Sequence, residues 1–237
     1  MNRTFTIGGL PLTYKPTPST PDLPYRTNLA CWLAGNKIVG QANNTLLATW
    51  LDSSGNVNNA VQATGADQPT YLTNFLNGLP VVRFDNVAGV GMQTPLALAD
   101  DSAFTIFLVS ACLTLDAGYH RVLTGQNNWL WGYRPSVENY NYYMGDFIVG
   151  DAVSTDWTYT TLINTPATQS EMRMNGASKG TNAATGGPGL HLCVGNSAWY
   201  SGEAPDAYIA EMIAYTATLT SGNILSVEGY LKAKYGL

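Results

Sequence analysis

A chain of 237 residues that is 45% hydrophobic and only 11% charged has enough apolar side chain for one large core, and its surface falls to Asn, Thr, Ser, Gln and Gly. The charged share is well under the roughly 25% of an average soluble domain. A formal net charge of −5 with no run of Lys and Arg argues against nucleic acid as a partner, because phosphate contacts need clustered cations.

In chain order, residues 1–26 come first, with Pro11, Pro16, Pro18, Pro21 and Pro24 set among Thr and Ser. Such a segment favours extended or polyproline conformation and has no core of its own, so it reads as an N-terminal arm. Within it, TFTIGG (Thr4 to Gly9) alternates like a short strand that suits pairing with a neighbouring subunit, and a tail without fixed structure fits the composition equally well. The first residues hold no apolar stretch of about 7–15 residues, so no secretion signal is expected and synthesis in the cytoplasm of the producing cell is.

From residue 27 to 237 the pattern is one of short apolar runs separated by Gly, Asn, Asp and Pro, the mark of antiparallel strands. LACWLA (Leu29 to Ala34) and LPVVRFD (Leu79 to Asp85) read as strands. AFTIFLVSACLTL (Ala103 to Leu115) is apolar on both faces and belongs in mid-sheet. It is broken by Thr105, Ser110 and Thr114 and falls short of the roughly 20 residues of a membrane span, so no membrane insertion is expected. RVLTG, NWLWGY, YYMGDFIVG and WTYTTLIN follow, each closed by a turn signal. EMRMNG predicts Met172 and Met174 inward, Glu171 and Arg173 outward, and a tight turn at Asn175-Gly176. LHLCVG (Leu190 to Gly195) and AYIAEMIAY (Ala207 to Tyr215) complete the strands.

A terminal helix is capped by Thr220 or Ser221 and ended by Gly236. Ile224, Val227 and Leu231 form its apolar stripe, with Glu228 and Lys232 paired on another face. Cys31, Cys112 and Cys193 lie far apart without metal-ligand spacing and read as buried free thiols, although one disulfide stays open.

Several segments in order, WLDSSGNVNNAVQATGADQPTY (Trp50 to Tyr71), NGLPVVRFDN (Asn77 to Asn86), FTIFLV, EMRMNG, LHLCVGN and YIAEMIAYTATLTSGNILSVEGYLKAKYGL (Tyr208 to Leu237), resemble the concanavalin A-like, laminin-G-like jelly-roll modules of phage virion and bacterial surface proteins. The resemblance covers Leu29 to the C-terminus and leaves the arm outside. It implies an all-β antiparallel sandwich with a short C-terminal α-helix. Where the family usually has a glycine in SGNGNN this chain has Val57, for which a positive φ is costly, so a local difference in the loop is expected.

The same sandwich hosts glycosidases, which need two carboxylates about 5–5.5 Å apart. Glu138, Glu171, Glu203, Glu211 and Glu228 have no acidic neighbour two or four residues away, and Asp151 and Asp156 point to opposite faces of an ideal strand. No GxSxG elbow accompanies His120 or His191, and no phosphate loop is present. No catalytic residue is therefore assigned. No cofactor is assigned either. Calcium, which some relatives bind, has Asp85 as its best single candidate, with Asp206 or the Asp100-Asp101 pair as helpers, too few for a committed site.

The aromatic residues stand out. Trp129, Trp131, Tyr133, Tyr140, Tyr142 and Tyr143 crowd one window, and Trp199 and Tyr200 follow LHLCVGN. Aromatic faces suit sugar rings, and Trp129, Trp131, Tyr133, Tyr142, Trp199 and Tyr200 form the candidate carbohydrate-binding set. Packing between sheets or at a subunit interface explains the same residues, whereas Trp32, Trp50 and Trp157 belong to the core by context.

With the resemblance, these readings predict a non-catalytic phage virion accessory protein. Its arm contacts other virion proteins, its sandwich binds glycan on a host surface, and it forms a homo-oligomer. A structural cement protein without glycan binding is the alternative, and a glycan hydrolase a weaker one.

Overall fold

The computed structural model describes residues 21–87, 89–114, 119–126, 128–134, 139–195 and 202–237, and the backbone of two short strands ahead of them, β1 (Thr4–Ile7) and β2 (Leu10–Thr13), which pair as a hairpin. The first half of the sandwich contributes β3 (Leu29–Ala34), β4 (Thr45–Leu46), β5 (Thr49–Trp50), β6 (Ala60–Val61), β7 (Thr70–Leu76), β8 (Leu79–Phe84) and β9 (Gly91–Gln93). In its middle lie β10 (Phe104–Cys112), β11 (His120–Thr124), β12 (Leu130–Arg134), β13 (Asn139–Tyr143) and β14 (Phe147–Ala152). The last part holds β15 (Thr158–Thr165), β16 (Gln169–Met174), β17 (Ala177–Asn182), β18 (Cys193–Gly195), β19 (Ala207–Tyr215) and the helix α1 (Ser221–Tyr235).

Every strand pair is antiparallel. A nine-stranded sheet runs β17-β16-β15-β10-β19-β8-β7-β4, with β3 also paired to β19, and an eight-stranded sheet runs β14-β13-β12-β11-β18-β9-β6-β5. The all-β sandwich with one C-terminal helix is thus as the sequence predicts.

Register decides which side chains meet between the sheets. Across the eight-stranded sheet, Trp50 sits opposite Ala60, Met92 opposite Val194, and Val194, Leu123, Trp131, Tyr142 and Ile148 follow as successive cross-strand partners. All of them are buried in the inter-sheet core. One residue along each strand, Thr49, Val61, Gln93, Cys193, Thr124, Leu130, Tyr143 and Phe147 form an unbroken row on the opposite face. A slip of one residue would exchange the two rows, so the bulk of Trp131 and Tyr142 fixes the register.

β10 is buried along its whole length because it is covered twice. Phe104, Ile106 and Leu108 face the other sheet, while Phe107 and Val109 face α1. The Thr220 hydroxyl caps α1 by accepting from the Asn223 amide, Gly236 closes it at φ +68°, and Ile224, Val227 and Leu231 are its buried stripe. The expected Glu228–Lys232 pair does not form. Glu228 is buried and holds Arg173 Nε at 2.9 Å and the Thr161 hydroxyl at 2.8 Å, whereas Lys232 stays exposed, because the sheet beneath α1 supplies a better-placed cation.

Met172 and Met174 point inward as predicted, and Asn175 and Gly176 turn the hairpin at φ +50° and +82°. Asp52 organises the loop after β5 by accepting from the backbone amides of Trp32, Ser54 and Asn58. In that loop Val57 takes φ +62°, the glycine-like conformation itself, and its side chain stands in solvent. All three cysteines are buried and free. The chain enters the second core ahead of β3, where Leu23 is buried and Tyr25 lies 5.9 Å from the Tyr215 ring.

Candidate functional site

Four residues of the carbohydrate-binding set prove to be core. Trp129, Trp131, Tyr133 and Tyr142 are at most 2% exposed, and a ring so enclosed offers no face to a sugar. The rings pack on each other and on Phe104: Trp131 stacks on Tyr140 at 5.8 Å and Trp129 meets Tyr142 edge-on at 5.7 Å. Trp199 and Tyr200 lie outside the described residues. Trp32 and Trp50 are core as expected, but Trp157 is only half-buried and stacks on Tyr208 outside the nine-stranded sheet. Phe75 tilts against the same Tyr208 ring at 4.3 Å, and Arg83 lies over it.

The outward row of the eight-stranded sheet carries the features of a site. At the β6, β9 and β18 end it forms a groove of about 430 Å³ lined by Val61, Gln62, Gln93, Thr94, His191 and Cys193. Gln62 fixes one wall by donating its amide to the Gly91 carbonyl at 2.8 Å, and the Thr94 hydroxyl donates to the Leu192 carbonyl at 2.8 Å. His191 Nδ1 sits 3.0 Å from the Thr94 carbonyl, which orients the ring. His191 precedes β18, since the strand predicted over LHLCVG is regular only from Cys193. Gln93 is exposed, and its side-chain amide makes no hydrogen bond among the described residues. Burial pushes the Cys193 thiol up to about 12, so the groove floor presents a neutral thiol and not a thiolate nucleophile.

Toward the β12–β14 end the same face becomes aromatic and basic. Tyr143 and Phe147 are cross-strand partners with rings 4.7 Å apart. Arg121 is buried, with Nε on the Glu203 carboxylate and Nη2 donating to Asn128 Oδ1 at 2.6 Å. Arg134 lies 4.5 Å over the Tyr119 ring. His120 belongs to the inner layer, stacked on Tyr133 at 4.5 Å with Nδ1 2.9 Å from the Ala204 carbonyl.

The carboxylates considered for calcium do not assemble. Asp206 is taken by Arg83 at 2.9 Å and by the Thr114 hydroxyl, and among the described residues no three His, Cys, Asp or Glu side chains gather at one point. One oxygen of Asp85 is buried without a hydrogen-bond partner among those residues, and a single carboxylate falls far short of the 6–8 oxygens calcium takes.

Sequence reasoning missed Gln93 and Arg134. The signal was present in the alternation of NWLWGYR, where Trp129, Trp131 and Tyr133 share one face and Leu130, Gly132 and Arg134 the other. The charged member marks the outward set.

No protein-family model matches the chain, and no curated protein matches it. Solved structures do. Trypanosoma rangeli sialidase aligns at 15% identity with a TM-score of 0.64, over 89% of this chain and 33% of the sialidase. The binding domain of Paraclostridial Mosquitocidal Protein 1 aligns at 12% identity and a TM-score of 0.60, over 86% of this chain and 52% of that one. Domain 4 of AbnA, a GH43 extracellular arabinanase from Geobacillus stearothermophilus solved in complex with arabinotriose, aligns at 13% identity and a TM-score of 0.59, over 85% of this chain and 98% of that domain. This chain therefore spans about a third of the sialidase and nearly all of the arabinanase domain, and at such identities the likeness is one of fold. The shared fold is an antiparallel β-sandwich of two packed sheets, in keeping with the jelly-roll expectation from the sequence.

Proposed function

We propose that this domain is a non-catalytic glycan-binding module whose ligand lies along the outward face of the eight-stranded sheet. The observation that carries the reading is the groove over β6, β9 and β18, where the exposed Gln93 amide, without a hydrogen bond among the described residues, stands beside the apolar surface of Val61 and Pro95. An amide that both donates and accepts, set in a partly apolar cleft, matches the alternating hydroxyl and C–H surfaces of a saccharide. The arabinotriose complex of the similar arabinanase domain supports the same class of ligand. A protonated Cys193 and the absence of paired carboxylates in the sequence favour binding without hydrolysis.

The test is a glycan array read with the wild type and Gln93→Ala. The expected result is binding to at least one saccharide class, weakened at least tenfold by the substitution with no change in thermal stability. An array without a hit, or sugar release from the bound polysaccharide, overturns the reading.

The setting we propose is a phage particle, with residues 1–20 holding the module to other virion proteins. Support comes from the sequence resemblance and from the proline-rich composition of that segment. Particles assembled with a variant lacking residues 1–20 should lose the protein, and normal occupancy refutes the tether.

A second reading, a structural protein that buries aromatic residues in neighbouring subunits of a homo-oligomer, is favoured by Phe75, Tyr208 and Trp157 on the uncovered part of the nine-stranded sheet. Sedimentation of the wild type and Phe75→Ser decides it. A monomeric wild type removes this reading.

A further inference from the structure

Among the described lysines and arginines, Arg26, Arg83, Arg121, Arg173, Lys179 and Lys234 each pair with a carboxylate. Lys37 and Lys232 have no such partner and stand in solvent, where none is needed. Arg134 differs from both groups. It is half-buried, its Nε is shut from water without a hydrogen-bond partner among the described residues, and no carboxylate of those residues meets it. A partly desolvated guanidinium is costly unless an anion completes it.

The surroundings define what that anion is. Tyr119, its ring centre 4.5 Å from the guanidinium carbon, covers one face of the planar group, and with Nε shut from water the Nη1 and Nη2 donors at its outer end are left for an in-plane partner. A carboxylate accepts such an edge through two parallel bonds. The depression between Tyr119, Arg134, Asn141 and Phe147, which Glu203 also lines while engaged by Arg121, is only about 10 Å³, so a ligand group meets Arg134 at its mouth and a sugar ring stays on the rim. Tyr119 and Phe147 are 43% and 40% exposed at its rim, apolar surface on which a ring can rest. Arg121 cannot serve in the same way, because Glu203 and Asn128 already occupy it.

We propose that the ligand of this face is an acidic saccharide, its carboxylate held by Arg134 and its ring carried by Tyr119 and Phe147. The inference rests on the glycan-binding reading and narrows it to one ligand chemistry. A single carboxylate at a single arginine needs no basic track, so a short acidic glycan is compatible with a net charge of −5.

Calorimetric titration with oligosaccharides bearing uronate or sialate groups, each beside its carboxyl-reduced counterpart, tests the proposal on the full chain. The expected result is binding of one acidic series, at least tenfold tighter than its reduced form and weakened by added salt. Arg134→Gln should abolish that preference, and Arg134→Lys, which keeps the charge but not the paired donors, should retain only part of it. Should Arg134→Gln fail to fold, Arg134→Lys decides, and a full preference in that variant counts against the paired-donor geometry. Gln93→Ala should weaken acidic and reduced forms alike. Equal affinity for both forms, or an unchanged preference in Arg134→Gln, overturns the acidic assignment and leaves the groove reading standing. Failure of every saccharide to bind removes both.

Discussion

Lys234 Nζ donates to Glu211 Oε2 across 2.7 Å, and the two side chains are 1% and 0% exposed. Glu211 also accepts from Trp32 Nε1, from the Tyr230 hydroxyl at 2.9 Å and from the Tyr235 hydroxyl at 2.7 Å. Helix α1 is thus fastened to the centre of the nine-stranded sheet by a closed polar network as well as by its apolar stripe. Lys234→Met leaves the carboxylate buried without a counter-ion and should cost about 3–5 kcal/mol. Adding Glu211→Leu to Lys234→Met should cost far less than the sum of the single changes. Urea unfolding of the four-member cycle measures this coupling, and additive effects would deny the network.

Alkaline pH should unfold the protein. Burial raises the pKa of Tyr133, Tyr140, Tyr142, Tyr215, Tyr230 and Tyr235 from the ordinary 10.0, and that of Cys193 from 9.0 to about 12. The unfolded chain releases these protons near the ordinary values, so above about pH 9 the native state holds more of them and stability falls as pH rises. Burial lowers the pKa of Lys234, which acts in the opposite sense, as one group against many. Tyrosinate absorbance should rise in one step together with loss of the native circular dichroism. A smooth titration near pH 10 in a folded protein would contradict the burial of these rings.

Val57 is strained and exposed. Its φ of +62° costs an L-residue roughly 1–2 kcal/mol, which exceeds the extra chain entropy of glycine, about 0.5–1 kcal/mol. Val57→Gly should therefore raise stability by about 0.5–1 kcal/mol. A drop in the urea midpoint would show that the valine side chain makes a stabilising contact.

The sandwich should tolerate loss of residues 1–20 but not of 1–26. The longer deletion removes the buried Leu23, the Tyr25 carbonyl that accepts from the Tyr215 hydroxyl at 2.7 Å, and Arg26, which lies 5.0 Å from the Trp32 ring. Thermal melts should place the shorter variant within about 0.5 kcal/mol of the full chain and the longer one at least about 2 kcal/mol below it. Equal melts would show that residues 21–26 contribute nothing to the fold.

Much of the fold is legible because strand, turn and cap signals are local. β10 announces its double burial by being apolar on both faces, Asn175-Gly176 its turn, and Thr220 and Gly236 the ends of α1. The site is less legible because a single charge, Arg134, marks the outward face of β12 against three large aromatic residues on the other. The weight of Trp129, Trp131 and Tyr133 draws that set inward, and Arg134 is left on the surface. The groove was beyond local reasoning, since sheet order alone brings Val61, Gln93 and Cys193 side by side. Glu211 gave a weak signal, a lone charge inside AYIAEMIAY, but its partners Trp32 and Lys234 come from opposite ends of the chain.

Amide chemical-shift mapping during titration with a saccharide that binds locates the ligand relative to the outward face of the eight-stranded sheet. Shifts are expected at Val61, Gln93, Cys193, Leu130 and Arg134, with Phe75, Trp157 and Tyr208 unmoved. A footprint centred on Phe75, Trp157 and Tyr208 would contradict placement on that face.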